Sequence, residues 1–159
     1  MLKSENIVLR PLQESDLDFL DNIENNKKNW QFGSERKQFN RQQLLTYIAN
    51  SGTDITLAKQ YRFVIDLNRI PIGFIDLFDY TLTSAGVGLI ISKGYRNKGY
   101  AKEALNLLVD YAFNFLKLRK LHCSINTANL GSIRLFHSCG FHLEKQKEEL
   151  RYFIKLAKN

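Results

Sequence analysis

The sequence predicts a mixed α/β domain with the element order βααβββαβαβ. Three observations carry that reading. Apolar residues alternate at period two in "YRFVIDL" (61–67) and "ELRYFIKL" (149–156), the pattern of half-buried strands. They recur at helical spacing through 99–118, with a charged face opposite. That helix lies between two short apolar runs, 86–92 and 120–126, so it reads as a crossover joining two parallel strands.

The elements follow in order. "IVLRPL" (7–12) is a first strand ended by Pro11. "SDLDFLDNIENN" (15–26) is a helix with Ser15 as cap and Leu17, Leu20 and Ile23 on one face. "NRQQLLTYIANSG" (40–52) is a second helix, with Leu44, Leu45 and Ile48 inward and Gly52 as terminator. In the strand 61–67, Tyr61, Phe63 and Ile65 share a side. "PIGFIDLFDY" (71–80) follows a turn at Asn68 and Arg69, and "GVGLIIS" (86–92) reads as a buried strand. After the crossover helix and the strand "KLHCSIN" (120–126), "NLGSIRLFHSCGF" (129–141) is a short helix ended by Gly140. The last strand, 149–156, puts Leu150, Tyr152, Ile154 and Leu156 on one face; one further strand fits near 142–147.

Length and composition bound the rest. A chain of 159 residues suits one domain, 1–159, with a sizeable core. Hydrophobic residues make up 44% and charged residues 25%, ordinary for a globular protein. No apolar run approaches the ~20 residues of a membrane span, and "MLKSENIVLRPL" lacks a signal-peptide core, so a cytoplasmic protein is expected. Cys123 and Cys139 have no metal-ligand spacing and read as free thiols; no metal is expected. The net charge of +7 favours anionic partners, such as nucleic acid, an acidic membrane surface or a phosphorylated cofactor, but it is spread along the chain.

"GYRNKGYAKEAL" (94–105) is where the sequence turns to chemistry. A strand runs through a glycine loop into a helix that has no Ser, Thr, Asp or Asn cap. The first amides of that helix lack internal acceptors, and its dipole adds partial positive charge. One dipole supplies only about 0.3–1 kcal/mol, so several converging amides are required to hold a phosphate. Gly99 permits close approach, and Arg96 and Lys98 add charge at the rim. Neither the Walker loop nor the dinucleotide fingerprint fits: Gly94 and Gly99 are followed by Tyr100, and Gly86 and Gly88 precede the loop. A tight strand–helix turn beneath a basic surface is the alternative.

"RNKGYA" (96–101) resembles the R/Q-x-x-G-x-G/A signature of the GNAT superfamily of acyl-CoA N-acyltransferases. The helix "NLGSIRLFHSCGF" looks like the family's second motif, with Asn129, Ser132, Phe136, Gly140 and Phe141 in its positions. "IVLRPLQESDLDFL" is similar to the opening of the branch containing ribosomal-protein N-terminal and spermidine acetyltransferases. The resemblance implies a mixed sheet splayed between the strands at about 86–92 and 120–126 and flanked by about four helices. It implies acetyl-CoA as co-substrate, with pyrophosphate on Arg96, Asn97, Lys98, Gly99, Tyr100 and Ala101. The pantetheine arm would pair with Leu89, Ile90 and Ile91 like an added strand, touching Asn129, Ser132 and Phe136. Asn129 also reads as a helix cap, and Phe136 as core.

The same resemblance implies direct attack of an amine on the acetyl carbonyl through a tetrahedral intermediate. The Ile91 amide is the candidate oxyanion donor. Relatives commonly carry a glutamate near Gly86 and a tyrosine at Phe136; here neither side chain has the needed group. Ser132 is a candidate acid, and Asp76 or Asp79 a candidate carboxylate facing the acceptor; His122, His137 and His142 read as structural. A lysine-like amine costs about 4–5 kcal/mol to neutralise at pH 7, an α-amine about 1–1.5. With no obvious base, that favours a peptide α-amine, an amino sugar or a similar small amine. Trp30 and Phe32 would wall the acceptor side or pack the helical hairpin. The competing readings are a degenerate acyl-CoA binder without turnover and a basic nucleic-acid-binding domain. No RNP-type signature supports the latter, although the charge would suit a ribosome surface. The branch implies a homodimer.

Overall fold

The computed structural model describes residues 1–26 and 38–158; the Trp30 and Phe32 expectation lies outside them. Eight strands form one sheet: β1 (Leu2–Lys3), β2 (Val8–Pro11), β3 (Tyr61–Leu67), β4 (Ile70–Phe78), β5 (Ser84–Ile91), β6 (Lys120–Asn126), β7 (His142–Lys147) and β8 (Leu150–Leu156). Their spatial order is β1-β2-β3-β4-β5-β6-β8-β7. All neighbours are antiparallel except β5 and β6. The helices are α1 (Leu17–Glu24), α2 (Arg41–Asn50), α3 (Ile55–Ala58), α4 (Tyr100–Asp110) and α5 (Leu130–Ser138). Five helices among the described residues thus replace the expected four or so; α3 is a single turn capped by Asp54, which accepts from Thr56 N at 2.8 Å.

The two faces of the sheet carry separate cores. Ile7, Leu9, Phe63, Ile65, Ile75, Val87, Leu121 and Phe153 form one with Ala104, Leu105 and Leu108 of α4 and Phe136 of α5. Val64 and Phe74 form the other with Leu20 and Ile23 of α1 and Leu44 and Ile48 of α2. The predicted helical faces are therefore mostly the buried ones, although Leu17 and Leu45 are only half-buried and Phe115, at the end of the crossover helix, is exposed. The α1–α2 layer reaches across β4 to Ile90 of β5, and beyond it the same face of β6 and β8 is open.

Several local expectations change for identifiable reasons. Ser15 does not cap α1; it sits in a 3-10 turn, Glu14–Asp16, whose Asp16 carboxylate accepts from Gln13 N at 2.8 Å. Gly52 does not end α2. The helix closes at Ser51, whose amide and hydroxyl both reach Ile48 O. The crossover helix is regular only to Asp110 and continues as a π-helical turn, Tyr111–Phe115. Gly140 does end α5, at φ +88. On β8 the apolar set Leu150, Tyr152, Ile154 and Leu156 takes the open face, and Phe153 alone enters the core.

Arg10 pins the entry to α1. Its Nη1 and Nη2 donate to the two oxygens of Asp16 at 2.9 and 2.8 Å, and Nε donates to Asp66 at 2.7 Å. Asp16 is 2% exposed and Asp66 9%. The paired carboxylates hold the guanidinium in its charged form, the Asp16 hydrogen bonds being the strongest cause. Arg10→Met would leave two buried carboxylates without a cation. Urea titration is expected to show a loss of about 3–5 kcal/mol.

Candidate functional site

β5 and β6 pair over only three positions: Ser84 with Lys120, Ala85 with Leu121 and Gly86 with His122. Beyond Gly86 the two strands part, which opens a wedge in the sheet. Backbone parity shows what lines it. Ser92 N donates to Ile72 O on the β4 side, while Thr83 O accepts from Arg119 N and Lys120 N on the other. Successive residues of a strand alternate their backbone groups between edges. Leu89 and Ile91 therefore turn N–H and C=O into the wedge, and Ile90 turns its own toward β4. Of the three residues expected to pair with a cofactor arm, two present their backbone groups; Ile90 also borders the cavity, while its side chain packs against the α1–α2 core.

At the mouth of the wedge, the loop 93–99 delivers the chain to α4. Asn97 and Gly99 both have positive φ, +61 and +88. Glycine alone tolerates the second conformation without penalty, and space around Gly99 is open. The first backbone bond of the helix runs from Glu103 N to Gly99 O at 3.1 Å, and no side chain caps the end. Among the described residues, no acceptor engages the amides from Asn97 to Lys102. Glu103 is turned away: it accepts from Ser4 and from Asn6 N, tying α4 to the chain start.

A cavity of about 250 Å³ occupies this mouth. It gathers Leu89, Ile90, Ile91, Arg96, Asn97, Gly99, Tyr100, Ala101, Asn129 and Ser132, ten residues the sequence singles out. Tyr95, Lys102, Gly131 and Leu135 join them, unanticipated by the sequence reading; Gly131 and Leu135 could have been found by facing the Asn129–Ser132 turn on a helix wheel. The Lys98 side chain is exposed beside the cavity rather than lining it. Phe136 is 4% exposed and packs edge-on against Phe141 at 5.0 Å, because its helix face is the one pressed on the sheet.

Arg96 does more than supply charge. Its Nε donates to Ile91 O at 2.7 Å, fastening the loop to the end of β5. Asn129 caps α5, its Oδ1 accepting from Ser132 N at 3.2 Å, and the residue also borders the cavity. Ser132 is half-buried beside it.

The open face continues the site past the wedge. Asp76 lies opposite Gly88, and Phe78 opposite Gly86. A Cβ on Gly88 would come within 2.7 Å of Asp76 Oδ1, and one on Gly86 within 2.5 Å of the Phe78 ring. The two glycines thus form a groove floor over which a carboxylate and an aromatic ring lean from the neighbouring strand. Burial pushes the Asp76 carboxyl above the ordinary range; Arg62 opposes that and Glu24 adds to it. Asp79 is exposed in a left-handed turn, and His137 and His142 are exposed. His122 is half-buried across Gly86, edge-on to Phe78 at 6.3 Å, and burial lowers its pKa. Gly88→Ala is expected to displace the Asp76 side chain, a flexible end, rather than the backbone. Steady-state assays should show kcat lower by about 10–100-fold with a near-normal melting temperature.

A splayed parallel pair, with free amides at its mouth and a carboxylate packed on the neighbouring strand, defines a domain that binds a phosphorylated acyl carrier and presents it to an acceptor. The chain belongs to the GNAT acetyltransferase family: the family model described as "Acetyltransferase (GNAT) domain" matches residues 6–142. It is an acetyl-CoA-dependent N-acetyltransferase. Among similar proteins is the probable N-acetyltransferase YjcK of Bacillus subtilis, 30% identical over 91% of this chain and 84% of that protein. A spermidine N(1)-acetyltransferase of Vibrio cholerae is 28% identical over 85% of this chain and 78% of its own length. Among solved structures, spermidine N-acetyltransferase from Vibrio cholerae in complex with CoA and spermine superposes with a TM-score of 0.84, at 23% identity and 96% coverage of each chain. A GNAT-family acetyltransferase from Bacillus anthracis gives 0.82 at 18% identity, over 98% and 97%.

Proposed function

We propose that this chain acetylates the primary amine of a small cationic molecule, with Asp76 as general base. The observation that carries this is the Asp76 carboxylate packed over Gly88, the residue next to Leu89 of the wedge. The expectation of a low-pKa α-amine rested on finding no base. A buried carboxylate with a raised pKa supplies one, so a polyamine-type amine is admissible, and the spermidine acetyltransferases among the relatives support that class. A peptide α-amine is the second reading.

The residues divide the chemistry. Amides of Asn97–Lys102 hold the coenzyme's pyrophosphate, with Arg96 fastening the loop beneath them and the exposed Lys98 side chain adding charge at the rim. Leu89 and Ile91 pair with the extended arm. Ile91 lies about 10 Å along the strand from Gly88, at the phosphate end, so the Leu89 amide is better placed than Ile91 to polarise the acetyl carbonyl beside Asp76. The amine loses a proton to Asp76 and attacks the carbonyl carbon. The C–S bond then breaks as the new amide nitrogen sheds its second proton, which passes to the departing thiolate, and the Ser132 hydroxyl donates a hydrogen bond to that sulfur. Phe136 stays in the core, taking no part.

Two broader expectations extend this reading. No helix among the described residues is long and apolar enough to cross a membrane. Cys123 is buried with its thiol pushed up to about 12, and Cys139 is buried too; both suit a reducing cytoplasm. The apolar open-face row of β8 supports a homodimer, and light scattering of the purified chain tests it. The ribosome remains a docking expectation that nothing in the site supports.

The functional test is thiol release from acetyl-CoA with spermidine, an amino sugar and an N-terminal peptide, with product mass as the second readout. A gain of one acetyl group on spermidine-like amines is expected. Acetylation of the peptide alone would select the second reading. Thermal stabilisation by acetyl-CoA without release from any amine would mean a binder without turnover.

A further inference from the structure

Arg62 on β3 lies directly opposite Asp76 on β4, on the face covered by α1 and α2. It is held on three sides. Its Nη1 donates to Glu24 Oε1 at 2.6 Å, and its guanidinium carbon sits 5.5 Å from the Tyr47 ring and 5.3 Å from the Phe74 ring. Its Nε is buried and has no hydrogen-bond partner. The ion pairs of the described residues include Arg62 with Glu24 and none between Arg62 and Asp76.

That arrangement is informative because a base needs a free lone pair. A direct Arg62–Asp76 bridge would occupy the carboxylate oxygens that an incoming ammonium must reach. Here Glu24 takes the direct bond, while the cation stays close enough to act on Asp76 through space. We propose that Arg62 is a positioning residue: a guanidinium fixed by Glu24 and two aromatic faces, which keeps Asp76 negatively charged over Gly88 yet leaves its oxygens to the acceptor. The proposal rests on Asp76 being the base.

Among the described residues, the groups facing Asp76 are few. β3 brings Arg62, α1 brings Glu24, α2 brings Tyr47, and β5 brings only glycine. Without Arg62 the carboxylates Glu24 and Asp76 would face each other at low dielectric, and a proton would be held between them to higher pH. Without the Glu24 charge, Arg62 would act on Asp76 unopposed.

The two variants therefore shift activity in opposite senses, which a purely structural role would not do. The kcat/KM profile against pH is measured with spermidine throughout, so that the amine's own titration is common to all. Arg62→Met is expected to move the acidic limb up by about one pH unit or more, and Arg62→Lys to restore much of it. Glu24→Gln is expected to move the limb down. Acetyl-CoA affinity by calorimetry should be unchanged in all three. If Arg62→Met fails to fold, the Glu24→Gln and Arg62→Lys profiles carry the test. A limb that stays in place in these variants, while Asp76→Asn abolishes it, overturns the proposal alone. A limb that persists in Asp76→Asn overturns the base assignment and the proposal with it.

Discussion

Asp76→Asn is expected to lower kcat by about 10²–10⁴-fold, the usual contribution of a positioned general base, while acetyl-CoA affinity stays unchanged. Asparagine keeps the shape that leans over Gly88 but cannot take the amine proton. The variant should also melt no lower than the parent at neutral pH. Burial raises the Asp76 pKa in the folded state, so the folded chain binds that proton more tightly than the unfolded one does. Its contribution to stability is thus fully present below the unfolded carboxylate pKa and is lost as pH rises through the folded one. At neutral pH the ionised carboxylate opposes folding, and the amide removes that opposition. A drop in activity accompanied by a large drop in melting temperature would point instead to a structural carboxylate. His122→Gln, across the same floor, is expected to leave the acidic limb in place.

Gly99→Glu is expected to raise KM for acetyl-CoA by about 100-fold, equivalent to about 2.7 kcal/mol, and to remove the thermal stabilisation that acetyl-CoA gives. Two effects combine. A side chain at φ +88 costs about 1–3 kcal/mol of backbone strain, and the new carboxylate stands beside the amides of Asn97–Lys102, where phosphate charge would lie. Gly99→Ala carries the strain without the charge and separates the two. Gly94→Glu is the control within the loop: Gly94 has neither a positive φ nor a near neighbour, and it does not line the cavity. It should bind acetyl-CoA almost normally. Equal losses at Gly94 and Gly99 would show that long-range charge, not the α4 amides, dominates coenzyme binding.

The two predictions probe the two halves of the site, and these differ in how far they were legible in the sequence. The coenzyme half is local. A strand, a positive-φ glycine and an uncapped helix start are consecutive in the chain, so "GYRNKGYAKEAL" discloses them directly. Asn129 and Ser132 are legible for the same reason, since a cap and the amide it accepts from are three residues apart. Spacing gives a residue's place along the chain and not its direction: the Lys98 side chain is exposed and that of Phe136 is buried in the core.

The acceptor half is assembled across strands. Asp76 over Gly88 and Arg62 opposite Asp76 are register relations between β3, β4 and β5, and no sequence separation encodes a register. The missing glutamate at Gly86 looked like a lost base. The structure shows the glycines as the floor that lets a neighbouring strand's carboxylate lean across. Likewise, the alternation of "ELRYFIKL" made β8 a strand, but which face was buried depended on α4 and α5 covering the other side.

By itself, then, the sequence determined the elements, their order, the crossover and the phosphate loop, because hydrophobic period, chain direction and helix-end chemistry are set by near neighbours. Only the tertiary structure decided where β5 and β6 part, which backbone groups turn into the wedge, and which carboxylate packs over the Gly88 position beside it. Those depend on strand register and on layers packing from a distance, and such contacts form only when the whole sheet is assembled.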